Sequence, residues 1–285
     1  MIAVLGGLGA ALAWAVAALC SARASRLIGS TATLAWAMLI GLTAISPLLV
    51  ASGPVSLGRS ELIWMGLSGL GNVVGLLAVY RAFQFGKVGI VAPIVSTEGA
   101  IAAVVSVAAG ESLGVASGLV LGGVVAGVAV VAAAGSADVA GDRSGIRHQP
   151  IATGYAIVAA LCFGLSLYAT GQVGATLPAA WAVLPARLIG VVAIALPLAV
   201  LSRLRLTRAA APLVLAVGLA EVTGFMSFTI GATAGIAISA VLASQFAAIA
   251  AVAAHFLFGE RLSGRQAAGA ATIAVGVALL TAMQA

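Results

Sequence analysis

The chain is a succession of apolar runs about 20 residues long, and that length governs what it can fold into. Divided at its turn and charge punctuation, it gives runs at 2–20, 31–51, 61–84, 88–109, 114–134, 152–171, 178–201, 212–231, 235–258 and 264–283. A helix of about 20 apolar residues is what a hydrocarbon core about 30 Å thick requires. Little is left to cover a globular surface: 63% of the residues are hydrophobic and 7% are charged, whereas soluble domains carry about 25% charged residues. The runs are continuously apolar, without the polar/apolar alternation of a membrane barrel strand. The expected class is therefore an all-α membrane protein with ten transmembrane helices. Ala, Gly, Val and Leu dominate, and small residues let helix backbones approach closely in lipid. The first 20 residues lack the basic leader of a signal peptide and read as the first span.

The one long polar connection, Gly135 to Pro150, separates two sets of five spans. The two sets align at an offset of 149 residues. Leu39-Ile40-Gly41 falls on Leu188-Ile189-Gly190, Gly69-Leu70 on Gly218-Leu219, and Gly75 on Gly224. Gly110-Glu111 falls on Gly259-Glu260, and Gly127-Val128-Ala129 on Gly276-Val277-Ala278. The expected organisation is a first five-helix repeat at 1–134, a linker at 135–150 and a second repeat at 151–285. Five crossings per copy leave the second copy starting on the opposite side of the membrane. Such inverted repeats are typical of secondary transporters, with a central cavity near the midplane between them.

Basic residues gather on the cytoplasmic side of membrane proteins. One face receives Arg23, Arg26, Arg81, Lys87, Arg143, Arg147, Arg203, Arg205, Arg208, Arg261 and Arg265, and the other only Arg59. This bias places both termini outside the cytoplasm, in the inner (cytoplasmic) membrane of a prokaryote. The same scatter over short loops explains the net charge of +6 without nucleic acid, which would call for a basic stripe. Cys20 and Cys162 lie within apolar runs and read as small buried hydrophobes. Neither they nor His255 have neighbours at the spacing of a metal site, and no cofactor is expected.

Phe256 to Leu280, "FLFGERLSGRQAAGAATIAVGVALL", resembles the closing signature of the EamA-type transporters of the drug/metabolite transporter superfamily. Ala109 to Val131 resembles the first-copy version, with Ser112 in place of the basic residue. The likeness covers nearly the whole chain, including Trp14-Ala15 in the first span. It implies ten spans in two five-span repeats, and carriage of small metabolites, in many members the export of amino acids. Described ten-span members are drawn with cytoplasmic termini; the loop charges here point the other way.

An ionisable residue at a helix centre costs about 2.5–3.5 kcal/mol to insert, so each needs a reason to be there. Glu98 in span four, Arg187 in span seven and Glu221 in span eight each lie roughly 14–17 Å from the nearer span end at about 1.5 Å per residue. Asn72 occupies the first-copy position equivalent to Glu221. These groups are expected to face a water-accessible cavity, where Arg187 attracts a substrate carboxylate or steadies a glutamate, and Glu98 or Glu221 meets a substrate amine or carries a proton. The competing role is a structural Arg–Glu pair that locks spans together, and the sequence does not choose Arg187's partner. Pro93 withholds a backbone donor and is expected to kink span four, with Ser96, Thr97 and Glu98 beside the bend. Gln245 at mid-membrane, Tyr168 and Gln172 at i,i+4 on span six, Tyr80 and Arg81 near the cytoplasmic end of span three, and Trp14 deep in span one are weaker candidates, for which packing or an interface role is the favoured reading. Glu111 and Glu260 lie in turns and are expected to bond nearby backbone groups. Glycines 118, 122, 123 and 127 form overlapping GxxxG pairs suited to close packing within a monomer or across a homodimer.

A secondary carrier working by alternating access is the expected function. No P-loop or soluble nucleotide-binding domain is present, and a midplane glutamate allows proton coupling as readily as facilitated diffusion. An amino acid or another zwitterionic or weakly polar solute is the expected substrate. The alternatives are a flippase for lipid or lipid-linked sugar on the same fold, favoured by a lipid-open groove, and an intramembrane enzyme. No nucleophile–base pair stands at membrane depth, so the chain is not expected to be an enzyme.

Overall fold

The computed structural model describes residues 1–86, 88–123, 125–126, 149–250, 253, 272, 275 and 279. Within them every regular element is a helix. In order these are α1 (Ile2–Ile28), α2 (Ser30–Ala51), α3 (Arg59–Phe85), α4 (Val88–Val95) and α5 (Glu98–Ala108). Residues 115–123 form α6. Then follow α7 (Gln149–Thr176), α8 (Ala179–Gly190), a π-helical turn (Val191–Ala195), α9 (Leu196–Val200), α10 (Ala211–Ala232) and α11 (Ile236–Ala243). Among the described residues six helical stretches are long and apolar enough to cross a membrane: Ile2–Ile28, Ser30–Ala51, Arg59–Phe85, Pro150–Thr176, Ala179–Val200 and Ala211–Ala232. The chain is a multi-pass membrane protein. The expected tenth span, most of the second half of the fifth, and Glu260 lie outside the described residues.

The helices bury small residues and turn their large aliphatic ones outward, the reverse of a soluble bundle. On α1, Ala3, Gly7, Ala10, Ala11, Ala15 and Ala18 are buried, while Leu5, Leu12 and Val16 are exposed. Lipid is as apolar as leucine, so close backbone contact between small residues is what holds such helices together. α1 runs eight residues beyond its expected end and stops at Gly29, whose φ of +89° suits a residue without Cβ. α2 starts at the next residue.

Two expected spans are interrupted. Span four is helical as α4 and again as α5, with a turn at Ser96-Thr97. The Thr97 N–H donates to the Ile94 carbonyl, an i−3 bond. Pro93, expected at the bend, lies inside α4, and the interruption comes three residues later. Span nine repeats the pattern: α11 ends at Ala243, Ser244-Gln245 form a turn, and the Gln245 N–H donates to the Leu242 carbonyl. Here the two breaks are 148 residues apart, so the uninterrupted 149 register slips by one in this pair of spans. Span seven stays helical through the π-turn, whose Leu196 N–H reaches back to Val191. Pro197 directly follows and cannot donate, the condition under which a helical ladder shifts.

The core lies between α1, α3, α7 and α10. α1 packs along α10, and α3 along α7. The close approaches come in matched pairs. A Cβ on Gly224 would run into the Trp14 indole, and a Cβ on Gly75 would lie 2.6 Å from the Phe163 ring. Gly69 faces Pro185 and Ile189, as Gly218 faces Ala37 and Ile40; Gly41 faces Arg187, as Gly190 faces Met38. Adding 149 to the first-half member of a contact gives the second-half member of its counterpart in every case but Ala37, whose counterpart Pro185 lies one residue short.

Candidate functional site

The four core helices, with α4, α5 and the ninth span, line a cavity between them. Its walls carry Glu98, Glu221, Asn72 and Trp14, four of the residues singled out in the sequence. Each is placed by its helix. Trp14 and Asn72 are midway along α1 and α3, Glu221 is midway along α10, and Glu98 is the first residue of α5, immediately after the break. The break therefore does more than bend span four: it sets an acidic side chain at the start of a helix, at the depth of the other three.

The polar groups of this cavity have few partners. Both amide atoms of Asn72, the Trp14 Nε1 and the Tyr80 hydroxyl are buried without a hydrogen bond among the described residues. Glu98 is 4% exposed, and among the described residues no hydrogen bond or ion pair engages its carboxyl. Buried polar groups in a finished core are paired almost without exception. A cluster of unpaired ones around a void is the pattern of a site that awaits a solute or water.

Behind this wall stands Arg187, with an exposure of 0%. Its Nη2 lies 3.5 Å from the Glu221 Oε2, and its Nη1 donates to the Met38 sulfur at 3.5 Å. The Phe225 ring centroid is 5.7 Å from the guanidinium carbon, within cation–π range. Phe225 also packs edge-on against Trp14 at 5.1 Å.

Residues 1–133 match the model of the EamA-like transporter family. The first half of the chain is EamA-like. A protein of known crystal structure superposes on 99% of this chain and 96% of its own with a TM-score of 0.75, at 18% identity; so distant a likeness speaks for the fold alone. No curated protein matches the sequence.

The EamA-like half supplies Trp14, Asn72 and Glu98 to the cavity, and the second half supplies Glu221. Arg187, Tyr168 and Gln245 lie off this wall. Arg187 stands behind it and pairs with Glu221, the partner that the sequence left open. Tyr168 and Gln172 do share a wall, but of a different pocket, with Glu111 and Gly235, where Tyr168 packs edge-on against Trp64 at 5.7 Å. Gln245 is buried at the α11 break, its Nε2 donating to the Val241 carbonyl at 2.7 Å, while Phe246 takes the place on the cavity wall. Glu111 behaves as expected of a turn residue. Its carboxylate accepts from the Ala237 N–H in the first turn of α11, 3.2 Å away, and from the Ser106 hydroxyl, so a first-half turn caps a second-half helix.

Ser21, Phe83 and Phe163 are cavity residues that the sequence does not single out. Tyr80, a weaker candidate near the end of α3, is 2% exposed and lies on the cavity wall. One signal was available. Trp14, Ala17, Ala18 and Ser21 recur at helical spacing on one face of α1, as do Asn72, Leu76, Val79, Tyr80 and Phe83 on α3.

Proposed function

We propose that this chain is a secondary transporter that moves a small metabolite through the cavity between its two halves by alternating access. The observation that carries this is the placement of Glu98, Glu221, Asn72 and Trp14 around one void, the last three halfway along helices of membrane length and Glu98 at the break in span four. The family match over the first half supports the transporter class. Walls drawn from spans one, three, four, six, eight and nine favour a solute basket over a lipid groove. Discontinuous helices beside the cavity belong to the same pattern, since irregular backbone at membrane depth is tolerated where it lines a cavity or is buried in protein.

The two halves, 1–134 and 151–285, are read as copies of one five-span unit facing opposite ways, joined by a linker at 135–150. The paired contacts at the 149 offset support this: Gly75 on Phe163 and Gly224 on Trp14 exchange under it, as do the α1–α10 and α3–α7 packings. The loop charges orient the unit with both termini outside the cytoplasm, and export is the proposed direction. The cavity runs along α1 from Trp14 to Ser21 and along α3 from Asn72 to Phe83, toward the face that carries Arg23, Arg26 and Arg81. On this orientation it leads from the midplane to the cytoplasmic side, where a substrate for export would enter.

The test is flux of a labelled panel of amino acids, amines and neutral metabolites into proteoliposomes, with and without a pH gradient. Saturable uptake of at least one member above empty liposomes is expected. Acceleration by the gradient assigns proton coupling, and indifference assigns facilitated diffusion. Flat traces across the whole panel contradict the proposal.

A further inference from the structure

We infer that the preferred occupant of the cavity is a monovalent organic cation with an aromatic or similarly bulky apolar body, and not a zwitterion. This deepens the carrier proposal and rests on it. The charge distribution points this way first. Among the described residues that line the void there is no Lys, Arg or His. The one guanidinium nearby, Arg187, is fully buried behind the wall and paired with Glu221. A substrate carboxylate entering this space would meet two acidic side chains and no cation. Among the described residues Glu98 has no such partner, and it is buried against the same void. With Glu221 balanced by Arg187, the described residues leave one uncompensated acidic group on the cavity wall.

The rest of the lining says what the cation must carry. Trp14, Tyr80, Phe83, Phe163, Phe225 and Phe246 all face the void, and they make up much of its wall. Aromatic faces attract cations through their quadrupoles, and cages of them are the recurring solution for ammonium ligands. They also offer flat apolar surface to the remainder of the molecule. A compact inorganic cation would leave the aromatic walls without contacts.

The test is equilibrium binding to the purified full-length chain in detergent, by calorimetry, with three probes of similar body. These are phenethyltrimethylammonium (cation), phenylalanine (zwitterion) and 2-phenylethanol (neutral). The cation is expected to bind at least tenfold tighter than either comparator. Glu98→Gln is expected to remove that preference by tenfold or more while 2-phenylethanol binding stays unchanged, and Glu98→Asp to restore part of it. Equal or tighter binding of phenylalanine overturns the inference. So does cation binding that survives Glu98→Gln, or no cation binding at all. If Glu98→Gln fails to fold, the wild-type ranking of the three probes still decides. Saturable flux of some other solute, with no binding of the cation, would leave the carrier standing and remove only this inference.

Discussion

The two halves of the chain differ most where the helices meet at mid-membrane. The first half places Met38 and Asn72 at positions where the second places Arg187 and Glu221, each 149 residues later. Met38 and Arg187 touch one another, and Asn72 and Glu221 share the cavity. One half therefore carries two neutral residues, and the other an ionic pair, at positions 149 apart. Glu98 has its own asymmetry: at the slipped register of the broken spans, its counterpart is Phe246, on the same cavity wall. The shared glycines keep the two halves alike in packing, while the charges make them unlike in chemistry. Symmetric positions here build the frame, and asymmetric ones determine what the frame can hold.

Breaking the ionic pair is expected to have the largest effect. Arg187→Met leaves Glu221 buried without a countercharge, and removing one partner of a buried pair costs about 3–5 kcal/mol. The variant should melt well below the parent in detergent. Adding Glu221→Asn recreates in the second half the Met–Asn pair of the first, and the melting temperature should return most of the way. If the double variant is no more stable than Arg187→Met alone, the two pairs are not equivalent.

A glycine swap sharpens the packing side of the same comparison. Gly224→Ala pushes a methyl group into the Trp14 indole, and Gly75→Ala pushes one into the Phe163 ring. Overpacking of this kind costs about 1–3 kcal/mol. The two substitutions should lower the melting temperature by similar amounts, because they strike matching contacts. Trp14 and Phe163 both line the cavity, so both substitutions should impair uptake, Gly224→Ala the more because the larger ring is displaced. Equal loss of uptake would mean that Trp14 and Phe163 serve the solute alike.

The smallest effect concerns the cap. Glu111→Ala removes the acceptor for the first turn of α11, and losing an N-terminal cap costs about 0.5–2 kcal/mol. A modest drop in melting temperature, with substrate affinity unchanged, is the expected result.

How much of this was legible in the sequence follows from what lipid does to sequence patterns. Span placement could be read because hydrocarbon thickness fixes a length, and α2, α3 and α10 fall close to their expected limits. The depth of Glu98, Asn72 and Glu221 could be read from position within each run. Rotation about the helix axis could not. In water an apolar stripe marks the inward face, but α3 and α10 are apolar all round, so nothing in the pattern told Tyr80 inward from Tyr168 elsewhere. The partner of Arg187 was hidden for the same reason, since two glutamates shared its depth. Pro93 drew attention to the right span and to the wrong residue: the bonding pattern changes at Ser96-Thr97, and span nine breaks at Ser244-Gln245 without a proline. The capping role of Glu111 was readable from its turn, but the helix it caps belongs to the other half.

The central claim is that a solute-accessible cavity lies at mid-membrane between α1, α3, α7 and α10, and thiol accessibility tests it most directly. In a background with Cys20 and Cys162 replaced by Ser, Ala18→Cys puts a thiol on the cavity wall and Leu12→Cys puts one on the lipid-facing side of the same helix. A membrane-impermeant maleimide applied to oriented vesicles from the basic-loop side should label the first and spare the second, and a transported solute should slow that labelling. Equal labelling at both positions, or none at position 18 from either side, would contradict the cavity and the transporter built on it.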